Sequence, residues 1–355
     1  MIFSSLNTIA KMPKKTVPVI VDPSWVAVGE GVGIVSSSNG KTWTATTPQL
    51  TSLAYYVAYG KDSSDNGLWV AIASGATILN SSNGKVWNVA ADKAGLGMVF
   101  QAGVAYGKDG PGENALGRWI AVGAGTPKIV YSSDGNYWHA AANVAGLTSV
   151  HQAAYGTDSS GNRRWVATGD TAVFAYSEDG SNWTASETKG GISQGWSIAY
   201  GKDASGAGLW VAGGGGAKIA YSPNGNKWYP AANTGGITNL NSGPWAYGVA
   251  YGKDGNGNGR WVAVGGGAKI VHSPDGSNWT QAGNINITMT HGRGVAYGKD
   301  DNGNGLWVVG TYTGQILGHS PDGNTWTASS NVGGLGSNGM AMAYKRILYE
   351  GVDNF

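Results

Sequence analysis

The 355-residue sequence predicts an all-β chain, a seven-bladed β-propeller of four-stranded antiparallel blades whose ring is closed by the C-terminal strand. Three observations lead there. One sequence unit recurs seven times, each copy holds four short runs of strand composition, and no segment places apolar residues at helical spacing over about ten or more positions. One unit reads GVAYGKDGNGNGRWVAVGGGAKIVHSPDGSNWTQA. Its first Trp falls at Trp25, Trp69, Trp119, Trp165, Trp210, Trp261 and Trp307, at intervals of 44, 50, 46, 45, 51 and 46. A second Trp follows 18 or 19 residues later, at Trp43, Trp87, Trp138, Trp183, Trp228, Trp279 and Trp326. The repeat therefore uses all of the 16 Trp except Trp196 and Trp245.

The four runs are GVAYG, WVAVG, KIVHS and WTQA, rich in Val, Ile, Tyr and Trp. Gly-Asn and Asp-Gly pairs between them favour tight reversals. Ala and Gly in the first two runs suit strands crowded around an axis. The first unit begins at its second strand, with Trp25, and the last runs on into Met340-Ala341-Met342-Ala343-Tyr344, which matches GVAYG. Residues 340–344 are thus expected to supply the inner strand of the first blade, which removes two free edges. Val17-Pro18-Val19-Ile20-Val21 competes for that place, but Pro18 removes a ladder donor. The chain divides into an N-terminal arm (1–22), the propeller (23–345) and a C-terminal tail (346–355). The arm mixes Ile2, Phe3, Leu6 and Ile9 with Lys11, Lys14 and Lys15, and is either disordered or docked on a neighbour.

Composition narrows the classes. With 61 Gly, 16 Trp and 17 Tyr, and charged residues at 12% against a usual ~25%, neither a disordered chain nor a helical bundle fits. Net charge is +2 and no basic stripe is visible, so nucleic acid is not an expected partner. Cys is absent, which removes disulfides, thiolate metal sites and a Cys nucleophile. No apolar stretch approaches the ~18 residues of a membrane span. The start, MIFSSLNTIAKMPKK, lacks the unbroken apolar region of a Sec signal peptide. Localisation stays unknown, with a virion or cell surface favoured over the cytoplasm.

The turns between third and fourth runs read SSNGKTW, SSNGKVW, SSDGNYW, SEDGSNW, SPNGNKW, SPDGSNW and SPDGNTW, from Ser37–Trp43 to Ser320–Trp326. They resemble the Asp-box, or bacterial neuraminidase repeat, whose usual form is S-x-D-x-G-x-x-W; each copy here is one residue shorter. The resemblance covers about residues 23–345 and implies a sialidase-like propeller in which these turns act as staples. Ser and Asp or Asn side chains bond nearby backbone N–H groups, and Gly supplies a positive φ. Asp-boxes occur in sialidases, other glycosidases, lectin-like propellers, assembly factors and surface proteins. The repeat style is also similar to surface proteins of phages and large DNA viruses.

The chemistry of an enzyme is not apparent. A sialidase is expected to need an arginine triad, but of six Arg, Arg118, Arg163, Arg164 and Arg260 precede second-strand Trp residues at the far end, and Arg346 follows the closing strand. Only Arg293 is expected on the active face. Other glycosidases need two carboxylates about 5–9.5 Å apart. Only Glu30 and Asp170 lie in equivalent loops between second and third strands, across the channel from each other. The chain is therefore expected not to be an enzyme and to have no catalytic residues. The loops Asp254-Asn256-Asn258-Gly259 and Asp300-Asn302-Asn304-Gly305 echo the start of a calcium loop, but the closing Glu is missing. Their preferred reading is hairpin chemistry, and no cofactor is expected. His139, His151, His272, His291 and His319 show no metal-ligand spacing, so no metal is expected either.

Four residues before the Tyr of each AYG-like segment stand Tyr55, Ala102, His151, Trp196, Tyr247, Arg293 and Met340, expected to ring the channel mouth. Phe100, Gln194, Trp245, His291 and Asn338 lie one step further out. The expected ligand-binding residues are Tyr55, His151, Trp196, Trp245, Tyr247, His291 and Arg293, where aromatic faces and polar groups meet. The functional expectation is a non-catalytic recognition or assembly module, on a virion or cell surface, with a protein partner; the alternative is a lectin-type propeller with a surface glycan as ligand. A glycan-active hydrolase ranks below both.

Overall fold

Short runs of Val, Ile, Tyr and Trp between Gly-rich turns can bury one face only against another sheet, and the chain answers with strands: every regular element among the described residues is β. The structure, a computed structural model, describes residues 24–345 other than 49, 51, 97–101, 111–114, 171–173, 217, 238–246 and 315. The expected arm (1–22), with its rival strand 17–21, and the tail (346–355) lie outside the described residues, as do Phe100 and Trp245.

Repeats 2 to 6 each form a four-stranded antiparallel sheet with its strands in chain order. Their first strands are Ala54–Lys61, Gly103–Lys108, Val150–Thr157, Gly195–Lys202 and Tyr247–Lys253. The strands of repeats 1 and 7 join in one ten-stranded sheet through Leu335–Tyr344. That strand pairs antiparallel with Trp25–Gly31, with Tyr344 opposite Trp25 and Ala341 opposite Val28. The first strands also touch one another in sequence. His291–Lys299 of repeat 7 contacts Leu335–Tyr344, which contacts Ala54–Lys61. Together these sheets have the architecture of a β-propeller.

The repeated residues earn their places by contacts between neighbouring sheets. In every repeat the Tyr of the first strand leans on the first Trp of the second at 4.8–5.0 Å between ring centroids, Tyr344 on Trp25 included. Five of those Trp indoles donate to a Lys carbonyl of the preceding repeat, as Trp165 does to Lys108 at 2.8 Å. The Gly after each Tyr leaves no room for a Cβ. At Gly60, Gly107, Gly156, Gly201, Gly252 and Gly298 an added Cβ would overlap the Tyr of the next repeat, from Tyr106 round to Tyr344. At the seventh junction Lys345 holds the Gly position, and its ammonium lies 5.9 Å from the centre of the Tyr59 ring.

The seven Ser-to-Trp turns share one geometry. The Ser177 hydroxyl accepts the Gly180 N–H at 2.8 Å, while Asp179 Oδ1 accepts the N–H groups of Ser181 and Asn182 at 2.8 Å each. Burial alone raises the Asp179 pKa. The hydrogen bonds from Asn182, Ser181 and Ser177 outweigh it and hold the carboxyl down to about 2. Gly180 has φ +75°, which a side chain disfavours. The second Trp of each repeat is buried, at 0–4% exposure. Beyond each turn the chain crosses to its neighbour: Asn284–Asn286 runs parallel to the fourth strand of repeat 7, and Asn331–Val332 parallel to that of repeat 1, Thr42–Ala45.

The D-x-N-x-N-G loops are closed on themselves. Asp254 Oδ1 accepts the N–H groups of Asn256 and Asn258 at 2.9 Å, and Asp300 Oδ1 those of Asn302 and Asn304 at 3.0 Å. The remaining oxygens face Arg260 and Lys41. Among the described residues no group of three His, Cys, Asp or Glu is placed to hold a metal, and no helix is long and apolar enough to cross a membrane.

Candidate functional site

The first strands do not run straight into their ladders. In five of them the pairing skips one residue, a β-bulge, and the skipped residues are Tyr55, His151, Trp196 and Arg293, each near the start of its strand, and Met340, in the middle of the longer closing strand. A bulge forfeits ladder hydrogen bonds and re-aims a side chain, and bulges gather next to functional sites. All five are positions that sequence alignment of the repeats places at the mouth. Tyr247 starts its strand opposite Gly265 without a bulge.

Around two of these bulges polar groups converge. In repeats 4 and 5 the neighbouring bulges bring His151 and Trp196 into a stack, 4.4 Å between centroids with planes 15° apart. His151 is 2% exposed, and its Nδ1 lies 2.8 Å from the Gly195 carbonyl. A carbonyl only accepts, so Nδ1 carries the hydrogen. Its Nε2 lies 3.3 Å from Asp170 Oδ1 and 3.3 Å from Ser149 Oγ. Burial lowers the His151 pKa and prevails over the Asp170 charge and the Gly195 hydrogen bond, which raise it. Asp170 keeps 36% exposure of its side chain.

In repeats 7 and 1 a second cluster forms. Arg293 lies over the Tyr312 ring at 4.7 Å, and its NH2 donates to Asn338 Oδ1 at 3.4 Å. Asn338 Nδ2 in turn donates to Glu30 Oε2 at 2.9 Å, and the Ser337 hydroxyl donates to the same oxygen. Those two hydrogen bonds lower the Glu30 pKa. Burial brings the Arg293 pKa down to about 10, and burial followed by the Arg293 charge lowers that of His291. His291 also meets Tyr312 edge-on at 5.7 Å.

The expected residues are thus gathered in part. Arg293 and His291 share one cluster and His151 and Trp196 the other, while Tyr55 is 4% exposed and takes part in neither. Trp245 lies outside the described residues. Sequence reading missed Tyr312. Its signal was available: five residues after the first Trp stand Glu30, Ser74, Ala124, Asp170, Gly215, Gly266 and Tyr312, and the three that are not small are those that organise the clusters.

The buried histidine has a measurable consequence. Its pKa lies below the ordinary 6.5, so the unfolded chain takes up the proton first as pH falls. This contribution to stability is complete above about pH 6.5 and is lost as pH falls toward the folded-state value. His272, His291 and His319 are shifted the same way. The melting temperature should fall between pH 7.5 and pH 5, and His151→Gln should reduce that fall; an unchanged fall in the variant would refute the assignment.

No family model matches the sequence, and no curated protein matches it. Solved structures share the fold. YCF48 bound to a D1 peptide is similar over 96% of this chain and 93% of its own, at 16% identity and TM-score 0.52. The BP39L lectin from Burkholderia pseudomallei is similar over 86% of this chain and 95% of its own, at 12% identity and TM-score 0.57. An α-L-arabinofuranosidase, Arb93A from Fusarium graminearum, follows over 78% and 93%, at 16% identity and TM-score 0.48. At these identities the likeness speaks for the fold, a β-propeller. It also corrects one expectation: glycoside hydrolases stand among the neighbours, so the expectation that this chain is not an enzyme is withdrawn.

Proposed function

We propose that the chain is a seven-bladed recognition propeller, closed by residues 340–344, whose ligand face is the mouth where the first strands begin. The observation that carries this reading is the row of five bulges at Tyr55, His151, Trp196, Arg293 and Met340. The repeat needs none of these side chains, yet each displaces its strand from the ladder. Closure is supported by two separate contacts: residues 341–344 pair with 25–28, which sets Tyr344 against Trp25 as in the other repeats, and Asn331–Val332 runs along the outer strand of repeat 1. The Ser-to-Trp turns, bonded within themselves, fit the Asp-box reading and a stapling role at the other face.

YCF48 is solved with a peptide and BP39L is a lectin, so both expected ligand classes, a protein segment and a glycan, are carried by this fold. The favoured setting is an assembly on a virion or cell surface. Glycan and peptide arrays probed with the wild type and with Trp196→Ala/Arg293→Ala test the reading. Hits of the wild type should be lost by at least about tenfold in the folded double variant. Hits kept at full strength would place the ligand elsewhere.

A further inference from the structure

We propose that Asp170 and Trp196 form a binding site for a single pyranose ring; this rests on the mouth being the ligand face. The two residues come from different repeats and meet through one side chain, His151, which stacks on Trp196 and faces Asp170. Trp196 is half-buried and packs against the apolar core cluster that runs between repeats 5 and 6. The backbone of Asp170 is held in place. Its N–H donates to the Ser149 carbonyl at 3.2 Å, and Gly169 lies so close to that carbonyl that a Cβ there would overlap it. The flanking Gly169 and Gly195 bring backbone rather than side chain to the site.

The chemistry suits a sugar. A carboxylate offers about four lone-pair sites, and one oxygen facing His151 leaves acceptor capacity for two neighbouring hydroxyls. His151 covers one face of Trp196, and the part of the indole left exposed takes the apolar C–H groups of the same ring. Glu30, which holds the same repeat position, has one oxygen already engaged by Ser337 and Asn338, so the two carboxylates are not equivalent. The sequence offers this pairing once: Asp170 is the one Asp five residues after a first Trp, and Trp196 the one Trp among the seven mouth positions.

Saturation-transfer NMR with methyl glycosides of glucose, galactose, mannose and fucose, and with Nα-acetyl-lysine methylamide as a cationic contrast, tests the site. At least one pyranoside should bind the wild type. Its affinity should fall by about tenfold or more in Asp170→Asn and Trp196→Ala, and be partly retained in Trp196→Phe. Asp170→Asn preserves size closely and Trp196→Phe keeps an aromatic ring, and a thermal melt of each variant confirms that it is folded. No pyranoside binding, preferred binding of the lysine derivative, or affinity unchanged in Asp170→Asn each overturns the proposal. The wider reading is separable. Array hits lost in Trp196→Ala/Arg293→Ala while no pyranoside binds would sink this site alone, whereas hits kept in that double variant would sink the mouth as the ligand face.

Discussion

Trp183→Ala should lower the unfolding free energy by about 3–5 kcal/mol. Trp183 is 4% exposed in the core shared with Leu147, Val150 and Ala167, and its indole N–H donates to the Gly180 carbonyl at 3.1 Å. Truncation leaves a large void and removes the lid from the turn that Ser177 and Asp179 organise. Denaturant melts of Trp183→Ala, Trp228→Ala and Trp279→Ala should give losses of similar size, because all three bond their own turn Gly at 3.0–3.2 Å. Trp183→Phe should recover part of the loss. A melt unchanged by Trp183→Ala, or a loss confined to one repeat, would contradict the stapling role of these turns.

A larger effect is expected from deleting residues 340–355. The deletion strips Trp25, Val26, Ala27 and Val28, all fully buried, of the strand that pairs with them. It also removes Tyr344, the partner of Trp25 and the ring that fills the space over Gly298. The loss should be comparable to the whole stability of an ordinary domain, about 5–15 kcal/mol, so the truncated chain should show no cooperative monomeric melt. A synthetic peptide of residues 335–345 added in trans should restore part of the transition. A truncated protein that melts like the full chain would remove closure by this strand from the account.

Much of the fold is legible in the sequence because each repeated residue answers a local demand that recurs. The Gly of AYG is there since a Tyr from the next repeat occupies the place of its Cβ, and the turn Gly since φ is positive. Seven copies of one solution reveal the period even where single strands have only two residues, as at Asn88–Val89. The match of 340–344 to GVAYG is legible for the same reason. The mouth is harder to read. Aligning repeats finds the bulge positions, because the bulged residue stands at a fixed distance from the Tyr. It does not find what those residues touch, since contacts between repeats depend on how sheets sit side by side. Asp170 and His151 are 19 positions apart in sequence, and Glu30 and Asn338 are 308 apart. Tyr312 escaped because a search for paired carboxylates picks out Glu30 and Asp170 at this repeat position and passes over an aromatic ring that ends the second strand. Arg293 is expected among the ligand-binding residues; its guanidinium lies over Tyr312 and is largely desolvated, contacts that repeat alignment does not reveal.

The ligand is expected where the first strands bulge and not on the face of the Ser-to-Trp turns. Hydrogen–deuterium exchange on the protein with the strongest array hit bound tests it most directly. Protection is expected in segments 52–57, 148–153, 193–198 and 290–295 and around 336–341, with exchange of the turns 37–43, 132–138, 177–183 and 273–279 unaltered. Protection of the turns with the bulged segments unchanged would contradict it.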